Sequence, residues 1–265
     1  MQYKKGFTEK NFAYILNQYK YNLHPGDIVA GKIFNKEAKG FLVDIGTHIA
    51  GYLPLKELSL ISKVNYNKKE ISYLNNLTRE FFILAYNTDS QQLILSIKRL
   101  EYLRAWKRIK QLNKEDIILN LKIDQINKGG AITYLEGLKG FIPNSHLTRN
   151  KNKIKFKEKK IKCKILIANE KNNQIICSNK SALLYLSTDK FKIGEIVYGA
   201  ITAIQTYGIF IDINSIPALL HISEIGSKHI ENIHEIFQIG NIIKVKIIHI
   251  DMKQGRLSVS RRNID

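Results

Sequence analysis

Residues 198–223 read YGAITAIQTYGIFIDINSIPALLHIS, and their pattern decides the fold. The run reads as strand, glycine turn, strand, loop, strand. Ile209, Ile211 and Ile213 recur at period two, the signature of a strand that buries one face. Phe210 falls on the opposite face. Further along, Leu220 and Ile222 point one way and His221 the other. Tyr207 stands just before Gly208, and a glycine in a strand permits a bulge that re-aims its neighbour. An aromatic and a histidine on the wet side of an otherwise apolar sheet are what the stacking of bases needs.

The same plan occurs three times. Two strands split by glycine recur as VAGKIFNKEAKGFLVDIG, NLKIDQINKGGAITYLEG and YGAITAIQTYGIFIDI. A third strand follows in AGYLPLKEL, LKGFIPNSHL and PALLHISEI. A looser stretch comes next, and each copy closes with a hairpin: FFILAYNTDSQQLILSIKR, IKCKILIANEKNNQIICSNKS and IIKVKIIHIDMKQGRLSVSRR. The central glycines Gly40, Gly130 and Gly208 give a period of roughly 80–90 residues. Five strands with a long connection after the third predict a small Greek-key barrel of the OB type. The expected fold class is therefore all-β: three tandem OB-type five-stranded barrels, with an N-terminal helix and a linker helix. The expected limits are 1–24 for the helix, 25–99 for repeat one, 100–112 for the linker helix and 113–181 for repeat two. A linker over 182–192 and repeat three over 193–262 complete the chain.

The flanking segments carry helical periods. Thr8 can cap a helix in which Phe12, Ile15, Leu16 and Tyr19 form an apolar stripe. That stripe either folds back on the first barrel or docks on a partner protein. In LEYLRAWKRIKQL, Leu100, Leu103, Trp106 and Ile109 share one face, while Arg104, Lys107, Arg108 and Lys110 share the other. The single tryptophan reads as packing.

The chain has 265 residues, 44% of them hydrophobic, so it can bury a core. Its formal net charge of +19 favours a polyanionic partner. The densest basic run, KNKIKFKEKKIKCK over 151–164, is expected on a phosphate-facing surface. No apolar run approaches 18 residues, so no membrane span is expected, and the charge lies on β units rather than on one amphipathic helix. Cys163 and Cys177 fall on the apolar parity of their strands and read as core thiols. Neither a metal nor a cofactor is expected. P-loop, HExxH and G-x-S-x-G motifs are absent, and no carboxylates are paired for metal-assisted cleavage, which disfavours an enzyme such as a ribonuclease.

PGDIVAGKIF, KGFLVDIG, GYLP, YGIFIDI, LLHISEI and the endings LSIKR and LSVSRR resemble the S1 RNA-binding domain family. The helix GFTEKNFAYILNQY, the three repeats and REFFIL…LSIKRLEYLRAW together resemble the S1 proteins of the small ribosomal subunit, in their cyanobacterial and plastid form. That resemblance implies an RNA-binding protein, not an enzyme, that holds single-stranded mRNA on the small subunit for initiation. It further implies that the N-terminal part anchors the chain to the ribosome. The implied site is plastid, with a bacterial cytoplasm as the alternative. A free RNA chaperone using the same face is the rival function. In the S1 family the RNA face comprises two aromatics, a histidine, an aspartate and an arginine. Carried onto repeat three, these are Tyr207, Phe210, His221, Asp251 and Arg256. Lys39, Lys128, Lys244, Lys246 and Arg261 are candidate phosphate contacts. Repeat one holds Lys39, Leu42, Pro54, Asn87 and Gln92 at the family positions, and repeat two holds Gly129, Ile132, Pro143, Asn169 and Gln174. Neither is expected to grip RNA in the family manner, because each missing ring forfeits roughly 1–3 kcal/mol per base.

Overall fold

Alternating isoleucine, leucine and valine can bury only one side of a strand, so each repeat rolls its five strands around its own apolar side chains. The computed structural model describes residues 23–47, 49–60, 78–87, 92–148, 160–226 and 233–264. The stripe of Phe12, Ile15, Leu16 and Tyr19 lies outside the described residues, as does the part of the basic run up to residue 159. The chain divides into two compact units, Met1–Arg104 and Ala105–Asp265. The first barrel belongs to one unit, and the second and third belong to the other.

The first barrel is built from β1 (Ile28–Lys36), β2 (Gly40–Asp44), β3 (Gly51–Pro54), β4 (Thr78–Asn87) and β5 (Gln92–Ser96). The second uses β6 (Leu119–Ile126), β7 (Gly130–Leu135), β8 (Leu138–Pro143), β9 (Lys160–Asn169) and β10 (Gln174–Ser178). The third uses β11 (Ile196–Gln205), β12 (Gly208–Ile213), β13 (Ile216–His221), β14 (Ile242–Asp251) and β15 (Arg256–Ser260). All three sheets close in the same order, first–second–third–fifth–fourth. Neighbouring strands run antiparallel except for the third and fifth of each barrel, which pair in parallel. The expected five-stranded OB-type barrels are therefore present three times. In the third, Ile209, Leu220, Val245, Ile247, Leu257 and Val259 are fully buried. Short turns set the hairpins. Asn214 and Ser215 both take positive φ, +50° and +69°, between β12 and β13, and Asp212 Oδ1 holds that turn by accepting from the Ser215 N–H at 2.7 Å.

A serine ends the closing strand of each barrel and caps the next turn of chain. Ser96 Oγ accepts from the Arg99 N–H at 2.7 Å, Ser178 Oγ from Ser181 at 3.0 Å and Ser260 Oγ from Arg262 at 3.1 Å. Helix α1 (Ile97–Lys114) therefore starts directly off β5, with Leu100, Trp106 and Ile109 buried and Arg104, Lys107, Arg108 and Lys110 exposed. Helix α2 (Asn179–Leu186) starts off β10. The stretch expected as a linker over 182–192 is more than a spacer, because Leu184 of α2 and Phe191 beyond it bury themselves in the core of the third barrel. The hairpin turn of the third barrel closes against α2: Ser181 Oγ donates to the Met252 carbonyl at 2.6 Å. Gly255 sits there at φ +65°, and a Cβ on it would stand 2.4 Å from the Ser181 nitrogen, so only glycine fits.

The basic run behaves differently from the expectation at one residue. Lys164 turns inward, ion-pairs with Asp116 and lies 3.9 Å from the centre of the Tyr185 ring, whereas Lys160 and Lys162 stay exposed. Cys163 and Cys177 are buried and unbonded. Burial pushes the Cys177 thiol up to about 12, and burial with Cys177 nearby pushes the Cys163 thiol higher still.

Candidate nucleic-acid interface

The outer faces of β12, β13 and β15 adjoin, and their register sorts the outward residues into rows. Gly208 pairs with His221, Phe210 with Leu219, and Leu219 with Ser258. Arg256 precedes Leu257, which pairs with Ala218, so it falls one row further on, beside Pro217. Rows on one face are about 6.6 Å apart, which sets His221 and Arg256 roughly 13 Å apart with Phe210 between them. An extended strand of nucleic acid laid along this face meets imidazole, ring and guanidinium in turn.

Local chemistry fixes each of these side chains. The β11–β12 turn leaves Tyr207 half exposed, at 49%, and its ring meets the Phe210 ring edge-on, with centroids 6.2 Å apart and planes at 89°. Such pairs contribute about 0.5–1.5 kcal/mol, so the two rings brace one another. Gly208 allows the close crossing: a Cβ on it would stand 2.4 Å from the Leu220 carbonyl. His221 caps the 3-10 turn Ile222–Glu224, its Nδ1 accepting from the Ser223 N–H at 3.2 Å. That bond fixes the tautomer and leaves Nε2 as a donor. Asp251 accepts from the Gln254 N–H at 2.9 Å, which ties down the hairpin turn, and its other oxygen lies 3.8 Å from Arg256 Nε. The pair aims the guanidinium without burying it.

Three of the candidate phosphate contacts lie elsewhere on this barrel. Lys244 and Lys246 stand on β14, opposite Tyr198 and Ile196 of β11, around the side of the barrel. Arg261 lies with its guanidinium 5.5 Å from the centre of the Phe237 ring. Lys39 and Lys128 are exposed in the corresponding turns of the first and second barrels. Among the described residues, no group of three or more His, Cys, Asp or Glu side chains converges to hold a metal ion.

The sequence matches the S1 RNA binding domain family over residues 23–98, 115–180 and 190–262. It is 50% identical to small ribosomal subunit protein bS1c of Pyropia yezoensis over 261 residues, covering 98% of each chain. The corresponding protein of Porphyra purpurea is 49% identical over the same coverage. Small ribosomal subunit protein bS1 of a Synechococcus species is 41% identical over 98% of this chain and 84% of its own. The chain belongs to the bS1 family.

The three S1 domains of this bS1-family chain superpose by register. Leu55, Asn144 and Ile222 each donate a backbone N–H to the residue before the central glycine, namely to Lys39, Gly129 and Tyr207. Gly40 pairs with Pro54, Gly130 with Pro143 and Gly208 with His221. Asn87 pairs with Gln92, Asn169 with Gln174 and Asp251 with Arg256. The five positions assigned from the sequence are thus the same five places in all three barrels, and only the third carries the five family residue types.

One feature is invisible along a single strand. Opposite Leu42 stands Tyr52, opposite Ile132 stands Phe141, and opposite Phe210 stands Leu219. At this pair of positions the first two domains carry their ring on the third strand, and the third domain carries it on the second. Those rings lie over glycine: a Cβ on Gly40 would stand 2.7 Å from Tyr52 Cζ, and one on Gly130 would stand 2.8 Å from Phe141 Cζ. Only the cross-strand register shows what they cover.

Proposed function

We propose that this chain is a non-catalytic RNA-binding protein of the small ribosomal subunit in a plastid. Its third S1 domain is the main platform for single-stranded mRNA, and its N-terminal part is the ribosomal anchor. One observation carries the platform: Tyr207, Phe210, His221 and Arg256 share one outer face, with Asp251 beside the arginine. Bases stack on Phe210 and Tyr207, His221 Nε2 donates to a sugar or base oxygen, and Arg256 takes phosphate. With Arg256 engaged on phosphate and Asp251 holding it, stacking dominates the contact to the bases, so sequence preference is mild and affinity falls with salt. The ribosomal and plastid assignment is supported by relatives named as small ribosomal subunit proteins bS1c and bS1.

Two measurements on the whole chain test this. Fluorescence anisotropy with oligouridylate should show a large loss of affinity for the double variant Tyr207→Ala, Phe210→Ala, and unchanged binding removes the platform. Sedimentation with plastid small subunits should carry the protein into the subunit peak. Recovery of free protein at physiological salt overturns the ribosomal part and leaves a free RNA chaperone.

A further inference from the structure

A groove of about 290 Å³ runs between the second and third barrels. It sits at the small end of ligand sites, which span roughly 300–1,000 Å³, and is the size for one base and its sugar. Phe210 and Arg256 line it from the third barrel, and His146, Thr148 and Lys180 line it from the second. The RNA face and the groove therefore share two side chains. We propose that single-stranded RNA leaves the third barrel through this groove, where one further nucleotide lies against the edge of Phe210 and its phosphate lies between Arg256 and Lys180. The inference rests on the platform reading of the third domain and extends it to a site built by two domains.

The junction is made to hold such a site. Gly255 stands directly against the Lys180–Ser181 peptide, and the bond from Ser181 to Met252 locks the β14–β15 turn to the start of α2. Arg256 follows that glycine, so the contact between barrels fixes the spacing of the two cations. Lys180 Nζ donates to the Ser145 carbonyl at 2.5 Å, which holds the ammonium at the rim. His146 Nδ1 lies 3.0 Å from Ser178 Oγ. Ser178 Oγ also accepts from the Ser181 N–H, so the imidazole is held at the groove wall by a hydroxyl that is itself tied to the start of α2. Asp212 is the one carboxylate in the lining, and its Oδ1 is occupied by the Ser215 N–H. Lys180 and Arg256 face the groove, and Asp251, which lies beside Arg256, is not in the lining, so an anion entering there meets the two cations.

The test uses the whole chain and oligouridylate of about 16 nucleotides, the upper site size for one barrel of this type. Lys180→Glu should weaken binding about tenfold, the worth of one charge-assisted contact. It should also reduce the slope of log affinity against log salt by about 0.7. Lys114→Glu makes the same charge change on the exposed end of α1 and should do neither. Lys180→Gln keeps a donor for Ser145 and should lower the slope equally, which guards against a folding defect in the glutamate variant. Photo-crosslinking of 4-thiouridine RNA to the unaltered protein should label the peptide holding His146 and Thr148. If Lys180→Glu and Lys180→Gln titrate like Lys114→Glu and that peptide stays unlabelled, the groove is overturned. The platform reading then still stands if Tyr207→Ala, Phe210→Ala weakens binding, and falls if it does not.

Discussion

The second and third barrels share their strand order and their register, yet they present opposite surfaces at the same places. Where the third has Tyr207, Phe210, His221 and Arg256, the second has Gly129, Ile132, Pro143 and Gln174. The inward residues of both are mainly aliphatics, with Cys163, Cys177 and Thr133 among those of the second, so the barrel tolerates a range of small and medium side chains there. The outward residues do not fill the barrel's interior, and their packing is confined to neighbours on the surface. The second barrel uses that freedom to fold Phe141 over Gly130 and close the surface, whereas the third leaves the corresponding ring braced on edge and open. A fold and its chemistry can therefore be inherited separately, on alternate residues of the same strand.

The largest expected effect breaks the comparison outright. In the double variant Tyr207→Ala, Phe210→Ala, two stacked bases at about 1–3 kcal/mol each are lost, so oligouridylate affinity should fall by about two orders of magnitude or more by anisotropy. The reverse graft sharpens it. In that background, Ile132→Phe with Phe141→Leu gives the second barrel the ring placement of the third, and it should recover part of one base, roughly 1 kcal/mol. No recovery would show that ring position alone is insufficient without the arginine and histidine.

A smaller change makes the third barrel resemble the others at its hairpin. Arg256→Gln installs the residue type of Gln92 and Gln174, and should reduce the salt slope by about 0.7 with little change in thermal midpoint. The smallest effect concerns His146, which occupies the place of Glu57 in the first barrel: Glu57 accepts from Ser96 Oγ at 2.6 Å, and His146 meets Ser178. Burial, then the charge of Lys180, holds the His146 imidazole below its ordinary range. The unfolded chain thus binds a proton that the folded chain refuses, so the unit holding the second and third barrels should lose stability as pH falls below about 6.5. His146→Gln should flatten that part of the urea midpoint against pH.

Much of this was legible in the chain. Period-two isoleucines gave the strands, and the central glycines gave the repeat. Alternation placed Phe210 and His221 on the outside, and the family resemblance pointed to Arg256. The parity of Asp251 was not legible, because a bulge near Ile248 breaks the alternation along β14 before it reaches the turn. The exchange of rings between Leu42 and Tyr52 escaped because it is a property of two strands in register, and a period along one strand carries no trace of it. Lys164 escaped because its partners, Asp116 and Tyr185, stand far from it in sequence. The packing of Leu184 and Phe191, and with it the junction of the second and third barrels, looks in sequence like an ordinary connector.

Parallel pairing of the third and fifth strands has a consequence for how such a chain assembles. Three sheets of nearly the same pattern, strung on one polypeptide, invite β7 to pair with β12 or a neighbour's strand to slip in at a border. Joining β13 to β15 leaves no border at which a foreign strand can add. Each bead completes its hydrogen bonding within itself, so copies of the motif can follow one another without cross-pairing into an aggregate.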